Sequence, residues 1–180
     1  MNSIHRWIAA GAISLLQLPA LASVEPGWSG TVAVGHTLYD ADCGYALSCD
    51  NGGGTAAKLG VGYQFGVFGL EGWLVDYGNS ALAGGDHVRL NSVGVDAAWR
   101  WRWGSSVQGV LRVGVASVHQ SRSAESFRST EPMLGLGVSL DVAPSVAVEL
   151  AWDVVTSTGG SDRIGTVLAQ PVTLGLRVRF

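Results

Sequence analysis

The groups in this chain that could do chemistry fall into a few short constellations. His119-Gln120-Ser121 sets an imidazole and a hydroxyl two residues apart. Glu131 follows as an acid that could orient the ring, which completes the parts list of a nucleophilic triad. Asp40, Asp42, Asp50 and Asn51 gather oxygens in one stretch, as a cation site would. The run Gly60-Val61-Gly62-Tyr63-Gln64-Phe65-Gly66 comes within one residue of a phosphate-cradling glycine motif. The other charged groups are spaced differently. Lys58, Glu71, Asp96, Arg100, Arg112, Glu149, Asp153, Arg177 and Arg179 each interrupt an apolar alternation.

The first three constellations have plainer readings. An EF-hand loop counted from Asp40 needs glycine at position 6 and glutamate at position 12. Those positions hold Tyr45 and Asn51, so the motif fails and no metal is expected. The glycine run lies on a strand hairpin and opens no helix, so it is not a nucleotide site. His119 falls where a strand runs into a loop, an ordinary place for a solvated side chain. No catalytic residue and no cofactor are expected.

The interrupting charges show what must position them. In Val172–Phe180, "VTLGLRVRF", apolar residues alternate with Thr173, Gly175, Arg177 and Arg179, the period of an extended strand. The same pattern recurs in Trp28–Tyr39, Ala56–Phe65, Phe68–Gly78, His87–Trp101, Val107–His119, Glu131–Asp141, Val146–Val155 and Ala169–Phe180. Residues 66–67, 102–106 and 142–145 are tight turns between them. Residues 40–55, 79–86, 120–130 and 156–168 are long and polar. An even number of strands of about 10 residues, with short turns at one end and long loops at the other, is the signature of a transmembrane β-barrel. The fold class predicted is all-β, an eight-stranded antiparallel up-and-down barrel.

The faces follow from parity. Leu59, Val61, Tyr63 and Phe65 point outward, as do Val93, Val95, Ala97 and Trp99, then Leu111, Val113 and Val115. Leu134, Leu136, Val138 and Leu140, with Val148, Leu150, Trp152 and Val154, complete the apolar wall. The charges share the opposite face with Gly60, Gly62, Gly94, Gly114, Gly135, Gly137 and Gly175, and with Trp73. An interior of this size is just wide enough for side chains to fill, so glycine makes room for the large ones. Buried carboxylates need partners. Taking residue 104 as the centre of its turn pairs Asp96 with Arg112, and similar depth pairs Glu149 with Arg177, with Glu71 nearby. The expected result is a lumen plugged by acid–arginine bridges; an ion-conducting filter is the alternative. Trp28, Phe65, Phe68, Trp99, Trp101, Trp103 and Phe180 gather at the short-turn end, where aromatic rings meet a membrane interface.

Bulk composition agrees. Only 14% of residues are charged, against a usual ~25%, while mean hydropathy is just +0.28. The continuous apolar run is at the start, where Arg6, "WIAAGAISLLQL" and Ala20-Leu21-Ala22 read as a cleaved secretory signal over residues 1–22. Residues 23–180 then form the barrel domain. Losing Arg6 takes the formal net charge from −3 to −4, which is no nucleic-acid footprint. Cys43 and Cys49, the two cysteines, should pair in an exported protein. A disulfide closing that short ring is worth about 2 kcal/mol. Mass spectrometry of the unreduced protein should find no free thiol, and replacing both by serine should leave the barrel folded.

The hairpin "LGVGYQFG" (Leu59–Gly66), the strand "GLEGWLVDYG" (Gly69–Gly78), the acidic first loop "YDADCGYALSC" (Tyr39–Cys49) and the closing "LGLRVRF" together resemble the OmpA-like transmembrane domain, the small porin- or opacity-type barrel of Gram-negative outer membranes. The resemblance covers residues 28–180. It implies an outer-membrane location, contact with lipid and lipopolysaccharide, and a monomer with a structural or surface-interaction role and no enzymatic activity. It also implies that Phe180 is an address read by the outer-membrane assembly machinery. No peptidoglycan-binding domain follows Phe180, so wall tethering is not carried over. Barrels of this size include a lipid A deacylase and a palmitoyltransferase. The deacylase needs His-x-Ser late in the seventh strand, where this chain reads "AWDVVTSTG". Only "SVEPG" precedes the first strand, which leaves out the palmitoyltransferase's leading helix.

Overall fold

The computed structural model describes residues 26–41, 53–81, 87–122, 125–157 and 167–180. Their strands are β1 (Gly27–Ala41), β2 (Gly53–Phe65), β3 (Phe68–Ala81), β4 (His87–Trp103), β5 (Val107–Arg122), β6 (Glu125–Ala143), β7 (Val146–Ser157) and β8 (Val167–Arg179). Each pairs antiparallel with the next, and β1 pairs with β8 from Ser29↔Arg179 to Ala41↔Val167, closing the sheet. Closure matters because hydrocarbon offers no partner to an open edge.

The side-chain alternation settles which way the wall faces. Val34, Leu70 and Val95 are 60% or more exposed, while Arg100 is 0% and Arg112 2% exposed. A water-soluble fold would bury the first set and expose the second. Aromatic rings run along the short-turn end in a chain of contacts: Trp28 on Tyr63 at 5.2 Å, Phe68 on Trp99 at 6.4 Å, and Trp101 between Trp99 at 5.4 Å and Trp103 at 5.5 Å. That end faces the periplasm in barrels of this kind.

Several strand boundaries differ from the sequence reading, β2 starting at Gly53 and not Ala56 and β5 ending at Arg122 and not His119 among them. Two of the differences have a local cause. β6 begins at Glu125, not Glu131, and pairs with β5 through Arg122↔Glu125. "ESFRST" carries no apolar alternation because neither face of this extension lies in lipid or core, so period 2 leaves no hydrophobic trace. β3 extends past Gly78 to Ala81 through a register shift between Asp76 and Asn79. Gly78 takes φ +78 there, a left-handed value a side chain would strain.

The parity makes a prediction at adjacent residues. Leu136 is 48% exposed on the outer wall. Leu136→Arg should therefore cost about 2–4 kcal/mol, the penalty for arginine near the bilayer midplane. A Cβ at Gly135 would instead collide with Asp153 Oδ1 inside. Urea unfolding in lipid should separate the two sites; equal tolerance of arginine at 135 and 136 would reverse the faces.

Candidate functional site: the filled lumen

Inward parity on strands β3, β4, β5 and β7 brings Glu71, Arg100, Arg112 and Glu149 together, and they form a closed square. Arg100 donates from Nη2 to Glu71 Oε1 at 2.5 Å and from Nη1 to Glu149 Oε2 at 3.0 Å. Arg112 donates from Nε to Glu71 Oε2 at 2.8 Å and from Nη2 to Glu149 Oε1. Each of the four carboxylate oxygens thus accepts from one guanidinium. Beside the square, Lys58 Nζ donates to Asp153 Oδ2 at 2.6 Å and stands 5.6 Å from the Trp73 ring. Trp73 Nε1 donates to Asp96 Oδ2 at 2.7 Å. Gly94 seats that indole, since a Cβ there would strike the ring.

The predicted charges therefore meet in the lumen, but two predicted pairings are corrected. Asp96 does not face Arg112: the turn is residues 104–106, its centre is 105, and the ladder sets Asp96 opposite Gly114 and Arg112 opposite Ala98. Glu149 does not bind Arg177: the ladder sets Arg177 opposite Ala147 and Glu149 opposite Gly175, and Glu149 is already held by Arg100 and Arg112.

Sequence reasoning missed the layers above and below. Toward the long-loop end the lumen turns apolar, with Trp73, Val75, Tyr77, Leu90, Val118 and Met133 among its cluster. Tyr77 Oη shares a 2.8 Å hydrogen bond with Ser92 Oγ, and Tyr39 Oη donates to the Tyr77 carbonyl at 2.9 Å. Near the square, a cavity of about 20 Å3 has room for about one water. At the periplasmic end Asp141 accepts from Arg179 at 3.0 Å, Arg102 at 3.3 Å and Gln108 at 2.9 Å. The available signal was the same inward parity, carried to the strand ends.

The candidate triad does not assemble. His119 lies near Ser121 Oγ at 3.3 Å on the outer face of β5. Glu131 belongs to the inner face of β6, where Thr156 donates to it at 3.3 Å. Cys43, Cys49, Asp42, Asp50 and Asn51 lie outside the described residues, as does the segment 1–22. Among the described residues no cluster of His, Cys, Asp and Glu could hold a metal ion.

A closed eight-stranded wall that is apolar outside and ionic inside matches a known sequence profile, the outer membrane protein beta-barrel domain, over residues 8–180. The chain belongs to that family. Solved barrels resemble it in fold. Neisserial surface protein A superposes with a TM-score of 0.67 at 19% identity, covering 86% of this chain and 97% of that one. Ail of Yersinia pestis, in complex with the heparin analogue sucrose octasulfate, gives 0.56 at 19% identity over 87% of this chain and 100% of its own. The N-terminal β-barrel domain of Pseudomonas aeruginosa OprF gives 0.55 at 15% identity, covering 87% of this chain and 100% of that one. No curated protein matches the chain. This outer-membrane barrel domain shares its architecture with those structures.

Proposed function

We propose that this protein is a non-enzymatic, non-conducting barrel of the Gram-negative outer membrane, whose work is structural and done through its surface loops. The observation that carries the reading is the Glu71–Arg100–Glu149–Arg112 square beneath an apolar layer. Ions crossing such a lumen would have to break four charge-assisted bonds and then enter a largely apolar layer whose few polar groups, such as Tyr77 and Ser92, are already bonded to one another. Residues 1–22 direct export and are cleaved, the strand ending at Phe180 is recognised by the assembly machinery, and the barrel works as a monomer among phospholipid and lipopolysaccharide. Cys43 and Cys49 brace the first loop.

The loops supply whatever contacts the cell surface makes. Ail was crystallised with a sulfated sugar analogue; the loop ends here carry Asp40, Asp42, Asp50, Asp86 and Asp162, a charge pattern that disfavours a polyanionic partner. Reconstituted liposomes should show solute flux at background, and lipid A from a deletion strain should keep its normal mass. Flux well above background would establish a channel. Altered lipid A would establish an enzyme.

A further inference from the structure

Arg177 makes no hydrogen bond or ion-pair contact among the described residues, and the arrangement around it explains why. Each oxygen of the two carboxylates in the square already accepts from Arg100 or Arg112, and none is in contact with Arg177. Asp141, the acid at the periplasmic end, is engaged by Arg102, Arg179 and Gln108. Among the described residues at this end, five arginines (Arg100, Arg102, Arg112, Arg177 and Arg179) stand against three acids (Glu71, Glu149 and Asp141), so the cluster carries surplus positive charge. Arg177 is only 5% exposed, and its Nε is buried with no acceptor. Glu71 and Glu149 act on it only through space, shared with Arg100 and Arg112. A buried guanidinium with no acceptor in contact is costly, which leaves room for a direct anionic partner from outside the barrel.

The place for that anion is open. Arg177 lines a cavity of about 250 Å3 at the periplasmic mouth, where the lumen void beside the square is about 20 Å3. Gln64 and Ser145 contribute an amide and a hydroxyl to its wall, and Arg179 a second guanidinium. Gln64 is itself buried and pinned by donating from Nε2 to the Gly66 carbonyl at 2.7 Å. We infer that the periplasmic mouth is a binding site for an oxyanion of the phosphate class, held by Arg177 with Arg179 at the rim. A planar guanidinium can bind two oxygens of such a group at once. The site goes beyond the structural reading and does not depend on it, since a sealed lumen and an anion-binding mouth occupy different depths.

The test uses the whole folded barrel in neutral detergent, with the Nε–H signals of its arginines followed by NMR as inorganic phosphate is added against chloride at equal ionic strength. The expected result is a saturable shift of the Arg177 signal, with Arg89, paired to Asp76 on the outer wall, unmoved. Arg177→Gln should weaken binding at least tenfold, and Arg177→Lys should bind with intermediate strength. The lysine variant keeps the charge and so keeps the test valid if the glutamine variant fails to fold. A second titration with short-chain phosphatidylglycerol distinguishes sources: a shift with the lipid alone assigns the site to inner-leaflet headgroups, and a shift with both assigns it to free phosphate as well. No shift with either, or the same non-saturating drift at Arg89 and Arg177, overturns the site.

Discussion

Glu149→Ala should destabilise the barrel by about 3–5 kcal/mol, the cost of leaving a buried charge pair half broken. The residue receives hydrogen bonds from two arginines that are 0% and 2% exposed, so its loss strands both where there is little room for water to replace it. The larger cost falls on what remains, since each guanidinium keeps only its Glu71 contact. Glu149→Gln should be milder, because the amide oxygen still accepts from one arginine. Replacing all four members of the square by apolar residues of similar volume should cost less than either, since matched desolvation removes the stranded charges. Equilibrium unfolding of each variant in lipid measures the series. A loss under about 1 kcal/mol for Glu149→Ala would mean the square is hydrated, the magnitude of an exposed pair.

Deleting Phe180 should abolish outer-membrane accumulation in cells while leaving the refolded barrel almost as stable as before. The ring is 77% exposed from the protein and meets the bilayer as a single interfacial contact, so it contributes at most the ~1.5–3 kcal/mol of a buried aromatic. Its backbone adds one hydrogen bond, donating to the Trp28 carbonyl at 3.0 Å. Neither contact can account for a failure to insert, whereas loss of a recognition signal can. The ratio of membrane yield to refolded stability is the readout. Normal insertion of the truncated chain would reduce Phe180 to an interface anchor.

How much of this was legible in the sequence depends on distance. Alternation along a strand is local, and it placed Leu136 outside and Arg100 inside, while β8 against β1 followed only from closing an even number of strands into a barrel. Partner choice in the lumen is not local. Arg100 on β4 reaches Glu149 on β7 across the barrel, and equidistance from a turn ranks only neighbours on adjacent strands. A one-residue error in the centre of the 104–106 turn was enough to pair Asp96 with Arg112. The apolar layer was hidden for another reason. Tyr77, Leu90, Val118 and Met133 come from separate strands, so only the closed sheet gathers them into one layer.

The seam between β1 and β8 has a consequence for how the molecule comes into being. Its partners Ala41 and Val167 are joined through the whole intervening chain, a closure that costs about 3 kcal/mol more than a tight turn at roughly 0.6 kcal/mol per doubling of length. That excess is small beside the row of backbone hydrogen bonds it completes. Timing is the harder constraint. Until Arg179 is in place every intermediate carries two raw edges, and no shorter version of the sheet can hide them. The chain must therefore reach its membrane uncommitted, and acquire its native state in one late step that makes the first residues synthesised depend on the last.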